Sequence, residues 1–146
     1  MLKKAIVVIN LSFILLFSSA FVLVPQVNRR TATQTLDSAL EDKDETFMRL
    51  ALRHAQHAFR EKEVPIGAVV VEDDTGLVLA TSRNRVEATQ DPTAHAEVNS
   101  IRAACGLRNN WRLSGCTLYT TLEPCPMCLS TAMAARVNRV VFGAHD

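Results

Sequence analysis

Three donors suited to one metal ion, His95, Cys125 and Cys128, stand in two separate segments, so a fold that uses them together must bring those segments to one point. Cys125 and Cys128 are three apart, which on a helical turn places both side chains on nearly the same face. Pro124 and Pro126 suit a helix start, where a missing N–H costs nothing, and a helix start lowers the pKa of a thiol. His95 and Glu97 pose a different problem, because residues two apart on a helix project roughly 200° from each other. Both reach one centre only if it lies off the helix end. Asp91-Pro92-Thr93 supplies a start for that helix, with Asp91 or Thr93 as the expected cap. Two helix N-termini are therefore expected to converge on one centre, their partial positive charges favouring thiolates and bound hydroxide.

Imidazole nitrogen and thiolate sulfur are zinc ligands, and a catalytic zinc keeps three protein ligands with its fourth position open to water. Glu97 is not needed as a ligand and is free to move protons. Zinc lowers the pKa of bound water from about 15.7 to about 7, roughly 12 kcal/mol at about 1.36 kcal/mol per unit. A neighbouring carboxylate then performs general acid/base work, and an amino-bearing amidine carbon is the matching electrophile. Hydrolytic deamination of a nucleobase follows as the reaction class. An isolated C-x-x-C is equally a structural zinc half-site or a redox pair. A structural site wants a fourth ligand, however, and the spare Cys105, Cys116 and His145 are not at paired spacing. Cys105 and Cys116 read as buried small apolar residues, and His54 and His57 as solvated groups on the polar side of a helix.

At 146 residues the chain allows one domain with a modest core. Met1 to Leu36 carries Lys3, Lys4, Arg29 and Arg30 and no acid, which leaves 12 basic against 15 acidic residues, about −3, in the remainder. That balance gives no support for general nucleic-acid binding. Met1 to Ala20 reads as a targeting segment to be excluded from the fold: Lys3-Lys4, an apolar stretch from Ala5 to Phe17, then Ser18-Ser19-Ala20 ahead of Phe21. Phe21 to Thr35 has transit-peptide composition, and the Ser-Ala-Phe junction resembles bipartite plastid presequences. The expectation is a plastid protein with no membrane segment in its mature form. The alternative is a secretory signal or a membrane anchor, against which an oxidising lumen would threaten the ligand thiols.

Residues 1–43 are thus expected to be presequence and linker, and 44–146 the functional domain. Leu36 to Lys43 reads as a polar linker, and Asp44 as the cap of a helix whose Met48, Ala51, Leu52, Ala55, Ala58 and Phe59 form a stripe to be buried against a sheet. Ile66 to Val71 is a strand covered on both faces, Glu72 to Gly76 a turn, and Leu77 to Ala80 a second strand. Arg83 to Thr93 reads as a loop leading to the site. Helix over His95 to Cys105, strand over Thr117 to Thr121, helix over Pro126 to Arg136 and strand over Asn138 to Phe142 complete an α/β sandwich. The chain stops just after that strand, so one side of the sheet is expected to be poorly covered.

H-x-E followed by P-C-x-x-C is the signature of the zinc deaminases, and from about Glu45 to Asp146 the chain resembles the cytidine deaminase superfamily, within it the tRNA-specific adenosine deaminases of the TadA type. The resemblance rests on Glu63-Val64-Pro65-Ile66-Gly67-Ala68-Val69-Val70-Val71, on Asn84-Arg85 ahead of Asp91-Pro92-Thr93-Ala94-His95-Ala96-Glu97, on Trp111-Arg112-Leu113 before Thr117-Leu118-Tyr119, and on Thr121 to Cys128. It implies a three-layer sandwich with a central mixed sheet and helices on both faces. It further implies one zinc ion per subunit on His95, Cys125 and Cys128, Glu97 as proton shuttle, and Asn84, Val64, Pro65 and Ala96 around the flipped base. The implied substrate is the wobble adenosine, position 34, of an arginine tRNA, converted to inosine by a homodimer. By residue type alone Asn84 is equally a turn asparagine serving its own backbone.

Enzymes of this type continue past Val140-Val141-Phe142-Gly143-Ala144 into a C-terminal helical segment with basic and aromatic contacts to the anticodon loop. This chain stops at Asp146 without that helix, so either the sequence is incomplete or the grip on RNA is weakened. The nearest rival is a free-base deaminase of guanine or cytosine type, which needs every zinc-site residue and no RNA patch. A non-catalytic zinc-containing partner subunit is the other, and such a scaffold has no use for Glu97.

Overall fold

The computed structural model of the protein describes residues 7–10 and 29–146, with side chains from residue 42 onward. Its elements, in chain order, are β1 (Val7–Asn10), α1 (Arg29–Arg60), β2 (Gly67–Glu72), β3 (Val78–Arg83), α2 (Val86–Thr89), α3 (Ala96–Arg108), β4 (Cys116–Thr120), α4 (Pro126–Ala134) and β5 (Arg139–Phe142). The strands form one mixed sheet in the order β1-β5-β4-β2-β3. β4 and β5 are parallel, joined through α4, and the other pairings are antiparallel.

β2 is buried along five consecutive residues because helices cover both of its faces. Successive side chains point to opposite sides of the sheet, and the two cores divide accordingly. Val69 and Val71 pack with Tyr119 and Val141 against Met48 and Ala51 of α1. Ala68 and Val70 pack with Leu118 and Val140 against Ile101 and Ala104 of α3 and Ala132 of α4. Each fully buried valine contributes roughly 1.5–3 kcal/mol from the apolar area it removes from water. The three-layer sandwich expected from the sequence is thus formed. The expected poorly covered side is covered in part, since α1 lies over β2, β3 and β4 of that face.

Gly67 sets how closely α1 approaches the sheet. A Cβ there would lie 2.1 Å from the Ala51 carbonyl oxygen and 2.6 Å from the Ala55 nitrogen, both backbone atoms of α1. Only glycine lets helix and strand meet at this separation.

Three further expectations are corrected. Leu36 to Lys43 is not a linker and Asp44 is not a cap, since α1 runs unbroken from Arg29. Asp44 is buried instead, where it accepts a hydrogen bond from the Tyr119 hydroxyl at 2.8 Å and pairs with the Arg139 guanidinium. Leu52 and Phe59 fall outside the buried stripe, at 42% and 71% exposed. The stripe of α1 that faces the sheet is narrow, carried by Met48, Ala51, Ala55 and Ala58, which suits the close approach at Gly67. Val7–Asn10 form β1 along the outer edge of β5, where an apolar, β-branched run meets unpaired backbone groups; the rest of Met1 to Ala20, read as a targeting segment, lies outside the described residues. The expected cleavage point before Phe21 lies outside the described residues. Among the described residues no helix is long and apolar enough to cross a membrane.

Candidate metal centre and its surroundings

The site lies where α3 and α4 begin, beside the end of β4. His95 is the N-cap of α3 and Cys125 the N-cap of α4, both with extended backbone and neither capped by a side chain. The expected convergence of two helix starts is present, but the caps differ from expectation. Neither Asp91 nor Thr93 caps α3. The Asp91 carboxylate accepts from the Thr93 N–H at 2.8 Å and the Thr93 hydroxyl at 2.7 Å, closing a local turn that delivers the chain to His95. With donor residues in the cap positions, the first-turn N–H groups of both helices are left facing the site. Pro126, at the start of α4, has no N–H to leave unpaired.

Cys125 Sγ lies 3.8 Å and Cys128 Sγ 3.5 Å from His95 Nδ1, and the three donor atoms all fall within 4.8 Å of one another. Tetrahedral zinc with bonds of about 2.3 Å to sulfur and about 2.0 Å to nitrogen requires sulfur and nitrogen roughly 3.5 Å apart. The residues therefore fit zinc. Burial comes first among the causes that push the Cys128 thiol well above its usual range, followed by the nearby Glu97 and Cys125. The lowering expected from a helix start is outweighed at Cys128. A cation would reverse that balance, because a coordinated thiol is held as thiolate.

Glu97 is 2% exposed, on the first turn of α3. Its Oε2 is buried with no hydrogen-bond partner, and the buried Thr120 Oγ1, at the end of β4, has none either. Burial raises the Glu97 pKa, opposed by its own backbone N–H, by His95 and by the Cys128 and Thr120 side chains. A buried carboxylate oxygen without a partner costs free energy unless a water or substrate group completes it. The position beside the three donors is therefore one where a proton can be exchanged.

The other expected site residues divide. Asn84 is 3% exposed, beyond the end of β3, and its Nδ2 donates to Glu63 Oε2 at 3.1 Å. Ala96 is fully buried in the core beneath α3, so its side chain serves packing. Val64 is 56% exposed and Pro65 is likewise at the surface, on the connection from α1 to β2. Arg83 to Thr93 is less of a loop than expected, since β3 extends to Arg83 and α2 follows. Cys116 is buried as expected, whereas Cys105 is half-buried and its thiol donates to the Trp111 carbonyl at 3.3 Å. His57 is exposed and His54 half-buried. His145 pairs with Glu123 at 2.9 Å and is not one of the three clustered donors. Sequence reasoning gave no role to Glu63 or Thr120. Glu63 carried one signal, a carboxylate placed directly before an otherwise apolar entry to β2.

The cytidine and deoxycytidylate deaminase zinc-binding region matches residues 41–144. The chain belongs to that family. Within the matched region, His95, Cys125 and Cys128 are the three donors that the fold brings within reach of one metal ion. Among its relatives is the tRNA-specific adenosine deaminase of Aquifex aeolicus, 45% identical over 102 residues, a match covering 70% of this chain and 66% of that one. Another is the chloroplastic tRNA(adenine(34)) deaminase of Arabidopsis thaliana, 50% identical over 103 residues, covering 70% of this chain and 8% of that one. The chain spans a little under two thirds of the length of the bacterial relatives it matches. Among solved structures, one from a study of A-to-I editing by tRNA:A34 deaminases superposes with a TM-score of 0.67 at 49% identity, covering 70% of this chain and 72% of the other. Guanine deaminase of Bacillus subtilis superposes with 0.66 at 42% identity, covering 69% and 64%.

Proposed function

We propose that this deaminase hydrolyses the 6-amino group of adenosine at the wobble position, 34, of a tRNA, giving inosine and ammonia. The observation that carries the chemistry is the unpaired Oε2 of buried Glu97 beside the three-donor cluster. The substrate is supported by the relatives whose names specify tRNA adenosine 34.

Zinc held by His95, Cys125 and Cys128 supplies a water acidified toward neutrality. Glu97 Oε2 would accept a proton from the attacking water and deliver it to the ring nitrogen, then take the second proton from the hydroxyl added at C6 and hand it to the departing amine. The C6–N bond breaks as C6 gains oxygen, so ammonia leaves and the ring becomes a lactam. The uncapped first turns of α3 and α4 favour negative charge at the point of attack. Burial excludes bulk water from Glu97 and keeps its proton for the reaction. Asn84, Val64, Pro65 and the backbone at Ala96 form the side from which the base enters. The base must be flipped out, because its amino-bearing carbon is unreachable in a stacked loop.

An arginine tRNA anticodon loop as substrate, a homodimer and a plastid location complete the proposal. The chloroplastic relative supports the location. Exposed Leu52, Phe59, Val64, Leu107, Trp111 and Met133 leave apolar surface for a second copy or for RNA. The likeness to guanine deaminase supports one other reading, turnover of a free base. Purified zinc-loaded protein is incubated with an arginine tRNA anticodon stem-loop and, separately, with guanine, cytosine and adenine. Inosine in the RNA is the expected product. Turnover of a free base without turnover of the RNA would overturn the substrate assignment.

A further inference from the structure

Glu63 is 4% exposed and, among the described residues, forms no ion pair; its carboxylate is satisfied by three N–H groups. α1 ends with Lys62 at φ +62° and the Glu63 N–H bonded to the Ala58 carbonyl at 3.0 Å, the left-handed helix stop that fixes the Glu63 backbone. From there Oε1 accepts from the Ala88 N–H at 2.7 Å, and Oε2 accepts from the Glu87 N–H at 3.2 Å and from Asn84 Nδ2 at 3.1 Å. Arg85, the N-cap of α2, makes no side-chain cap bond, so Glu63 does that work from another part of the chain. Burial alone would raise its pKa, but the Ala88 and Glu87 backbone N–H groups and the Asn84 amide outweigh it and hold Glu63 as a carboxylate.

A carboxylate can only accept, whereas a primary amide presents an acceptor on one side and donors on the other. Asn84 must therefore turn an N–H toward Glu63, which keeps Oδ1 from exchanging places with Nδ2. The Asn84 N–H donates to the Ile66 carbonyl at 3.0 Å, so backbone and side chain are both pinned. We infer that Glu63 is a positioning residue for base recognition: it fixes the polarity that Asn84 presents to the substrate ring and anchors the Asn84–Ala88 segment to the end of α1. This rests on the reading above that Asn84 faces the base. Oδ1 would then accept from the exocyclic amino group, the only N–H donor of adenine once N9 is joined to ribose, while the ring nitrogens, which only accept, would be left to other donors.

The test is a cycle in the full chain, loaded with zinc, using Glu63→Gln, Glu63→Ala, Asn84→Ala and the doubles, with kcat and KM measured on the stem-loop. Glu63→Gln keeps the shape and one acceptor, so kcat/KM should fall about 10-fold, and Glu63→Ala about 100-fold, with zinc content unchanged. In the Asn84→Ala background either change should cost less than about 3-fold, because the group they position is gone. The Asn84 side-chain amide protons, followed by 15N–1H spectra, should leave a downfield, slowly exchanging pair in Glu63→Ala. Losses that multiply in the doubles, an unaltered Asn84 amide signal, or activity that falls only in proportion to the unfolded fraction would overturn the inference. If zinc-loaded wild type turns over no substrate, the functional reading fails, and the amide spectra alone decide the role of Glu63.

Discussion

Cys128 Sγ lies 3.5 Å from His95 Nδ1 although 33 residues separate them. The contact joins the starts of two helices that precede and follow β4 in the chain, and no local sequence preference demands it. It follows from the crossover: α3 enters β4, β4 leads to α4, and both helices pack on one face of the sheet. Cys128→Ser should therefore abolish zinc binding, since a buried hydroxyl is a poor substitute for a thiolate. Metal analysis of the purified variant checks this, and near-stoichiometric zinc in it would contradict the ligand assignment.

Gly67→Ala should destabilise the fold by about 3 kcal/mol, at the upper end of ordinary overpacking, because the added methyl meets backbone and not a movable side chain. Urea unfolding measures it. A loss below about 1 kcal/mol would show that α1 shifts freely on the sheet.

Asp44→Asn should cost about 3 kcal/mol, since it leaves the largely buried Arg139 guanidinium without its counter-charge and weakens the bond from Tyr119. Asp44→Asn combined with Arg139→Met should recover part of that loss. Equal instability in the single and the double variant would remove the ion pair as the cause.

His54 is held neutral, its pKa lowered first by burial and then by His57, Arg83 and Arg53. A group depressed in the folded state adds stability above its unfolded value, near 6.5, and that stability is lost as the pH falls through the folded value. His54→Gln should therefore flatten the decline in Tm below about pH 6.5 relative to wild type. Parallel Tm profiles for the two proteins between pH 7 and pH 5 would show that His54 titrates normally.

Spacing made the three-donor cluster legible. The C-x-x-C pair needs a helical turn, and H-x-E needs a centre off a helix end; both are local requirements that the fold satisfies. Strand β2 was legible for the same reason, since an unbroken apolar run admits few other uses. Partners distant in the chain were not. Asp44 read as a cap because a carboxylate ahead of a helix is usually solvated, and its true partner, Arg139, is 95 residues away. Asp91 and Thr93 read as caps by residue type, but the cap position is taken by His95 itself. Leu52 and Phe59 fitted the helical period, which states a direction and not the width of the contact. Glu63 stayed unread because its three donors become neighbours only when α1 stops beside α2.

The central claim is that His95, Cys125 and Cys128 hold the metal while Glu97 moves the proton. Glu97→Gln separates the two roles in one preparation, by zinc content and by turnover of the anticodon stem-loop. One zinc per chain should remain while kcat falls at least about 1,000-fold, within the range for loss of a general acid/base. Loss of zinc together with turnover, or turnover near the wild-type rate, would contradict the account.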